Sequence, residues 1–172
     1  MKRHTGFTLI ELIVTLSVAA ILITLAVPNF RDFLLNNRLT TTANEFTAAA
    51  NLARSEAIKR GRNATVCVSE TSMLANPVCS NGTDWGVGWL VWVDADSSDD
   101  MSNDELLRVG DVLTDTGLTF TGDVSSFGYD SRGAIANTGS IEVCDDRAGE
   151  EGRLLTITAT GRIELDRDFI CP

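Results

Sequence analysis

Residues 5–14 read Thr-Gly-Phe-Thr-Leu-Ile-Glu-Leu-Ile-Val, and they open a long apolar run. Only five polar side chains interrupt the 21 residues from Phe7 to Val27. As an α-helix this run would be about 31 Å long, which matches the thickness of a bilayer core. The stretch therefore predicts a membrane-spanning helix that begins close to the N-terminus.

The flanks of the run predict its orientation and argue against a cleaved secretory signal. Lys2 and Arg3 precede it, and the positive-inside rule keeps such a start in the cytoplasm. A secretory signal has its small-residue cleavage site after the apolar run, whereas here the small residue Gly6 lies before it. The rest of the chain is therefore expected outside the inner membrane, with the apolar helix retained.

One carboxylate, that of Glu11, lies inside the apolar run. A carboxylate costs about 2.5–3.5 kcal/mol at mid-depth in a bilayer and less near the interface. One interpretation is therefore a tolerated interfacial residue without a function. The other is that Glu11 meets a cation in an assembly, because ionisable residues inside membranes are usually paired and functional. The best candidate for that cation is the free α-amino group that cleavage after Gly6 would create.

The short basic leader, the Gly6–Phe7 junction, Glu11 at the fifth position after the junction and Pro28 late in the apolar segment form one pattern. This pattern resembles the class III signal of type IV pilins and type II secretion pseudopilins. The resemblance implies that a prepilin peptidase cuts between Gly6 and Phe7 and that Phe7 is then N-methylated. It also implies that Glu11 pairs with the N-terminal amine of a neighbouring subunit. Such a pair would select the register, because a low dielectric heavily penalises an unpaired charge.

Charge is unevenly distributed over the 172 residues. Residues 1–62 hold eight Lys or Arg and four Asp or Glu, a net charge of +4. Residues 63–172 hold six Lys or Arg and twenty Asp or Glu, a net charge of −14. An acidic surface repels phosphate backbones, so nucleic acid is a poor partner for the C-terminal part.

Residues 30–58 continue the apolar pattern at helical spacing, with polar residues that suit an exposed second face. The pattern predicts one helix from about Thr8 to about Arg60, weakened near Pro28 and stopped by Gly61. Its second half is expected to pack on the chain's own head. The predicted organisation is a cleaved leader at 1–6, a transmembrane and filament-core helix at 7–28, an amphipathic helix at 29–62 and a β-rich periplasmic head at 63–172.

From residue 63 the pattern changes to short runs of β-branched and aromatic residues, separated by Gly, Asn, Asp and Ser. The predicted strands are 63–68, 85–93, 105–109, 118–120, 134–135, 140–144, 154–158 and 161–165. Short strands after one helix predict an α+β fold, in which a long N-terminal helix packs on an antiparallel β-sheet head. Trp85 and Trp89 would share one face of their strand and Trp92 the other, so part of this set is expected in the core.

Four segments of the head carry a second resemblance: W-G-V-G-W-L-V-W-V-D at 85–94, L-L-R at 106–108, F-G-Y-D-S-R-G at 127–133 and I-T-A-T-G-R-I at 157–163. They are similar to the GspH/FimT group of minor pilins and pseudopilins. This resemblance implies a structural subunit that primes pilus assembly or sits at the pilus tip, serving twitching motility and adhesion. The alternatives are a minor pseudopilin of a type II secretion system and a DNA-uptake pilin. The implied partners are prepilin peptidase, other minor and major pilins or pseudopilins, and the inner membrane before assembly.

Four cysteines lie in the acidic part of the chain. Export would place them in an oxidising compartment, where disulfides form. Four cysteines allow three pairings, and the sequence does not choose between them. We favour Cys67–Cys79, which would close a short loop, and Cys144–Cys171, which would tie the chain end to a strand. A tetrathiolate zinc site is the rival, and the lack of any Cys-x₂-Cys spacing disfavours it.

Residues 94–105 form an acidic loop whose oxygen groups imitate a calcium loop, with Asp94, Asp96 and Glu105 among the candidate ligands. The glycine that a calcium loop needs at its sixth position is missing, since Asp99 stands there. The flanks also read as strands, not helices. A solvated acidic loop is therefore preferred over a calcium site, and no other metal site is expected.

The stretch Gly161-Arg162-Ile163-Glu164 is similar to the Gly-Arg-x-Arg motif to which DNA binding is attributed in some FimT-type proteins. Glu164 replaces the second arginine, and further acids follow it. Arg162 is therefore expected to be a strand-edge cation paired with a nearby acid, with weak affinity for DNA.

Catalysis has no support in the sequence. The only histidine, His4, lies in the leader that would be removed. No serine or cysteine of the mature chain would then have a histidine base. We expect neither an enzymatic activity nor a cofactor.

Overall fold

The computed structural model describes residues 8–94, 101, 105–113, 116–135, 137–147 and 149–172, with the backbone alone at residue 28. The chain divides into two compact units, Met1–Arg38 and Leu39–Pro172. One helix, α1, comprises Leu9–Arg60 and contributes to both units. We call the second unit the head.

Within the first unit, α1 is apolar and exposed. Its large hydrophobic side chains from Leu9 to Val27 are all at least half exposed. An 18-residue window of this helix has a mean hydropathy of 2.5, which is sufficient by length and composition to cross a membrane. The hydroxyl groups of Thr15, Ser17 and Thr24 each donate to a carbonyl of the preceding turn, at 2.8–2.9 Å. These polar groups therefore have partners that do not depend on water.

The C-terminal end of α1 follows from a glycine. Gly61 has φ +64°, a left-handed conformation that ends helices and that glycine adopts without cost. The amide of Arg62 donates to the carbonyl of Ala57, which satisfies one of the last helical acceptors. In the last turn Glu56 pairs with Arg60, and these hydrogen bonds lower the pKa of Glu56. The predicted stop at Gly61 matches the end of the helix at Arg60.

The described residues of the head form eight strands in two antiparallel sheets. The strands are β1 (Ala64–Val68), β2 (Trp89–Val93), β3 (Leu106–Gly110), β4 (Leu118–Gly122), β5 (Ser126–Tyr129), β6 (Gly139–Asp145), β7 (Arg153–Ile157) and β8 (Ile163–Asp166). Sheet I has the order β3-β2-β1-β5, and sheet II has the order β4-β6-β7-β8. The predicted α+β fold, a long N-terminal helix packed on antiparallel sheet, is confirmed.

The main core of the head joins α1 to both sheets. The ring of Phe46 on α1 lies 5.1–6.0 Å from four aromatic rings. Those rings belong to Trp85, Trp89, Phe120 and Phe127. Trp89 and Phe127 lie in sheet I and Phe120 lies in sheet II, so one helical side chain connects the two sheets. Five buried alanines of α1 allow the sheets to approach the helix closely.

A smaller cluster lies on the opposite face of sheet I. It contains Cys67, Leu90 and Trp92, with Met101 and Leu106 packed against them. Side chains alternate between the two faces of a strand, so Trp89 and Trp92 belong to different clusters. The expected division of the tryptophans between faces holds for these two residues.

The segment 85–93 differs from the predicted strand. Trp85–Val87 form a 3₁₀ turn, and β2 begins only at Trp89. Gly88 separates them with φ +118°, and a β-carbon there would lie 2.8 Å from that of Ser72. Position 88 therefore requires glycine, and the 3₁₀ turn ends there before β2 begins. Trp85 reaches the main core from the turn.

Two further differences concern the segment between β4 and β6. The predicted strand at 134–135 is reduced to a single bridge between Ile135 and Tyr129. The strand β5 was not predicted, because Gly128 interrupts its apolar pattern and reads as a turn signal. Pairing with β1 supplies the backbone partners that the local sequence does not indicate.

Candidate functional site

The start of α1 is held by reciprocal hydrogen bonds between Thr8 and Glu11. The amide of Thr8 donates to Glu11 Oε2 at 2.9 Å, and the amide of Glu11 donates to Thr8 Oγ1 at 3.3 Å. The Thr8 hydroxyl also donates to Glu11 Oε2, at 2.8 Å. This is a capping box, in which the residue before the helix and the third helical residue satisfy each other's backbone donors.

The capping box gives Glu11 a local role that the sequence reasoning missed. The signal was present, because threonine followed three residues later by glutamate before an apolar run is the pattern of a capping box. Glu11 remains exposed, and it borders a shallow depression with Ile10, Val14 and Thr15. Its carboxylate is therefore oriented by Thr8 and still accessible to a second partner. Gly6 and Phe7, the expected cleavage and methylation residues, lie outside the described residues.

Two disulfides join parts of the head. Cys67 bonds to Cys79, with their Cα atoms 5.6 Å apart, and Cys144 bonds to Cys171, with theirs 5.9 Å apart. The second bridge ties the C-terminus to β6. Gly152 packs directly against it, because a β-carbon at this position would overlap the sulfur of Cys171.

The first disulfide holds a loop that carries apolar side chains. Met73, Leu74 and Val78 are more than half exposed on it. The Thr71 hydroxyl accepts a hydrogen bond from the amide of Val78 at 2.9 Å. This hydrogen bond connects the two sides of the loop near the disulfide. The sequence reasoning did not single out these exposed residues.

Arg162 is exposed at the turn before β8. Its backbone carbonyl accepts hydrogen bonds from the amide of Thr158 at 3.0 Å and from the Thr158 hydroxyl at 2.9 Å. Within the described part of the chain its guanidinium makes no ion pair, so the expected pairing with a nearby acid is wrong there. Glu164 and Asp166 are exposed on the same side of the chain as Arg162, but neither forms an ion pair with it.

The ends of the acidic loop are buried. Asp94 is 7 % exposed and Glu105 is 2 % exposed, whereas Asp96 lies outside the described residues. The amide of Asp94 donates to the carbonyl of Asn63 at 3.0 Å. Among the described residues no group of three or more His, Cys, Asp or Glu could hold a metal ion.

Comparison with protein families identifies both parts of the chain. Residues 42–161 match the model of the type II transport protein GspH. Residues 1–27 match the prokaryotic N-terminal methylation motif. The first match covers more than half of the chain, and the second covers the Gly6–Phe7 junction and Glu11.

The relatives and solved structures agree with these matches. Two fimbrial proteins of Pseudomonas aeruginosa are each 36% identical over 62 residues, which are 36% of this chain and 40% of theirs. The chain thus spans less than half the length of these curated relatives. The type IV minor pilin FimU of Pseudomonas aeruginosa matches in one crystal form with a TM-score of 0.60 and 24% identity, covering 81% of this chain and 96% of FimU. A second crystal form matches with a TM-score of 0.57 and 25% identity, covering 77% and 96%.

The family match, the methylation motif and the pilin-like fold agree with one another. Members of this family are structural proteins and not enzymes. The chain belongs to the GspH family, among the minor pilins and pseudopilins.

Proposed function

We propose that the protein is a minor type IV pilin that primes pilus assembly or sits at the pilus tip with other minor pilins. Prepilin peptidase would cut between Gly6 and Phe7, and Phe7 would then be N-methylated. Before assembly the subunit is anchored in the inner membrane by the apolar half of α1, with its head in the periplasm. The likeness to FimU, a type IV minor pilin, supports a pilus in particular.

The observation that carries this proposal is the exposed carboxylate of Glu11 at the start of an exposed apolar helix. A neutral glutamine would serve the capping box as well, whereas a carboxylate is costly in lipid. Thr8 orients Glu11 Oε2 but leaves the carboxylate with further acceptor capacity. The N-terminal amine of a neighbouring subunit is the cation that could use it, and the pair would fix the register between the two helices.

The two disulfides fit a periplasmic head. Bridges form and persist in oxidising compartments. Cys67–Cys79 and Cys144–Cys171 are therefore expected to be intact in the assembled subunit.

The experiment compares three variants, Glu11→Val, Glu11→Gln and Thr8→Val, in cells that express the full chain. The amount of protein is measured in the membrane fraction and in sheared filaments. Glutamine can still accept the hydrogen bonds of Thr8 but carries no charge, whereas Thr8→Val removes the capping hydroxyl and keeps the charge. We expect all three variants in the membrane, with both Glu11 variants lost from filaments and Thr8→Val retained.

Normal incorporation of Glu11→Gln would overturn the charge-pairing role and leave Glu11 with its cap alone. Loss of Thr8→Val together with Glu11→Gln would show that the capped helix start is required in addition to the charge. Cleavage is measured in a separate experiment, in which mass spectrometry identifies the mature N-terminus. A Gly6→Val variant should remain uncleaved and confined to the membrane.

A minor pseudopilin of a type II secretion system is the second candidate, and the family description favours it. Deletion of the gene distinguishes the two. Loss of surface pili and twitching with normal secretion would support the pilus, whereas loss of secreted enzymes with normal pili would support the secretion system.

A further inference from the structure

A cleft of about 610 Å³ opens at one end of sheet I. Its floor contains the cross-strand row formed by Trp92, Thr65 and Gly128, which are register partners on β2, β1 and β5. The neighbouring β1 residues Ala64 and Val66 point into the main core with α1. By alternation, the row faces away from the helix.

Gly128 contributes no side chain to the floor of the cleft. A β-carbon at Gly128 would lie 3.5 Å from Thr65 Oγ1 and 3.7 Å from the carbonyl of Ala64, which are ordinary contacts. Nothing therefore requires glycine for packing at this position. Its effect is to leave space beside Thr65 and Trp92.

A rigid turn after β5 forms the far wall of the cleft. Asp130 Oδ1 accepts from the amides of Arg132 at 2.8 Å and Ala134 at 3.0 Å. Asp130 Oδ2 accepts from Nε and Nη2 of Arg132, at 3.1 and 2.9 Å. These hydrogen bonds lower the pKa of Asp130, since they favour its charged form.

The indole N–H of Trp92, in the floor of the cleft, has no partner in the part of the chain that the structure describes. Trp92 is 8 % exposed, and its indole Nε1 is buried without an acceptor among the described residues. The indole of Trp85, in contrast, donates to the carbonyl of Val124 at 3.0 Å. Buried donors are nearly always satisfied, so the unpaired indole N–H beside a cleft needs an explanation, and an acceptor on a bound ligand supplies one.

The residues that line the cleft indicate the chemistry of that ligand. They include both hydrogen-bond donors and hydrogen-bond acceptors. The polar residues are Asn63, Thr65, Asp94, Asp130, Arg132 and Asn137. Two carboxylates against one guanidinium disfavour an anion, and phosphate in particular. Hydroxyl groups both donate and accept, so a polyhydroxylated molecule matches an alternating lining. The volume lies in the range of small-ligand sites.

We propose that this cleft binds a short neutral oligosaccharide, with the Trp92 indole N–H donating to a sugar oxygen. The exposed side chains of Asn63, Arg132 and Asn137 then bind neighbouring hydroxyl groups at the rim. The site is independent of the helix start, because all of its residues lie in the head.

The test uses the full-length ¹⁵N-labelled protein in detergent micelles and follows the indole N–H resonances of Trp92 and Trp85. The probes are maltotriose, lactose, mannotriose and triacetylchitotriose, with a neutral peptide and an oligothymidylate as alternative occupants. We expect the Trp92 resonance to shift saturably with at least one of the sugars, while that of Trp85 stays fixed. No saturable shift with any of the four sugars, or a saturable shift with only the peptide or the oligonucleotide, would overturn the proposal.

A cleft-filling variant provides the second measurement. Gly128→Val adds a side chain above the floor and preserves every polar residue of the lining. Sugar binding is expected to weaken by about tenfold or more, with the rest of the spectrum unchanged. Asn81→Ala, at an exposed site outside the cleft, is the matched control and should bind as the parent does. Equal binding by Gly128→Val and the parent would place the sugar elsewhere and contradict the inference.

Discussion

Gly161, in the turn between β7 and β8, packs directly against Gly133, in the turn after β5. A β-carbon on Gly161 would overlap the carbonyl oxygen of Gly133 and would lie 3.3 Å from Nε of Arg54. Both glycines are left-handed, with φ +78° and +77°. Arg54 on α1 completes the contact, since its Nη2 donates to the carbonyl of Thr160 at 3.0 Å. The glycine of the Gly-Arg pair therefore has a packing role that is independent of any DNA motif.

The close contact predicts that Gly161→Ala destabilises the head by more than backbone strain alone. Strain at a left-handed residue costs about 1–3 kcal/mol, and the overlap with Gly133 adds to it. Gly149→Ala is the matched control, because Gly149 has φ +77° and open space around its α-carbon. The free energy of unfolding of the full chain in urea is the measurement. Equal decreases in the free energy of unfolding for the two variants would mean that Gly133 moves away from the added β-carbon without an energetic cost.

Phe46 predicts a second large effect on stability. Its ring touches aromatic partners of both sheets, so Phe46→Ala should leave a cavity and cost about 3–5 kcal/mol. Phe33→Ala is the control on the same helix, since Phe33 is 59% exposed. The two variants are compared by urea unfolding, with tryptophan fluorescence as the signal. A loss below about 1 kcal/mol for Phe46→Ala would contradict the central position of this ring.

Tyr129 predicts a loss of stability in strongly alkaline solution. Burial raises the pKa of Tyr129 to about 12 from an ordinary value of 10.0. The unfolded chain therefore releases the phenolic proton before the folded chain does, and stability falls as pH rises from about 10 to about 12. The difference between the two pKa values corresponds to a loss of roughly 2–3 kcal/mol in the free energy of unfolding. Tyr129 is the only tyrosine of the chain, so phenolate absorbance reports its titration directly.

The control for this prediction is Tyr129→Phe, which removes the titrating group. The Tyr129 hydroxyl is buried and has no hydrogen-bond partner among the described residues. Its removal should therefore leave stability at neutral pH unchanged or raise it by about 1 kcal/mol, and should flatten the alkaline slope. A phenolate that titrates near its ordinary pKa would show that the ring is accessible to water.

Local signals in the sequence were sufficient for the helix and for most strands. The helical spacing of the apolar residues predicts α1, and Gly61 predicts its end. The alternation of side chains along a strand predicts that Trp89 and Trp92 lie on different faces. The features that were missed depend on long-range contacts. Pairing with β1 makes a strand around Gly128, and the close approach of Ser72 leaves room only for glycine at position 88.

Among the candidate sites, too, those formed by residues close in sequence could be predicted, and those formed by residues distant in sequence could not. The capping box of Thr8 and Glu11 is local, and its pattern was readable in the sequence. The cleft beside Trp92 joins residues from three strands and a later turn, so no short motif could predict it. The Gly133–Gly161 contact likewise joins turns from different sheets.

Arg162 predicts weak DNA binding that one substitution should strengthen. Residues 63–172 carry a net charge of −14, and Glu164 lies two residues beyond Arg162 on the same side of the chain. In a gel-shift assay at low salt we expect no retardation by the full chain in micelles and no effect of Arg162→Ala. Glu164→Arg reverses one charge beside Arg162 and should produce salt-sensitive retardation, because each neutralised phosphate releases counterions. Strong binding by the parent chain that disappears in Arg162→Ala would instead support a DNA-uptake subunit.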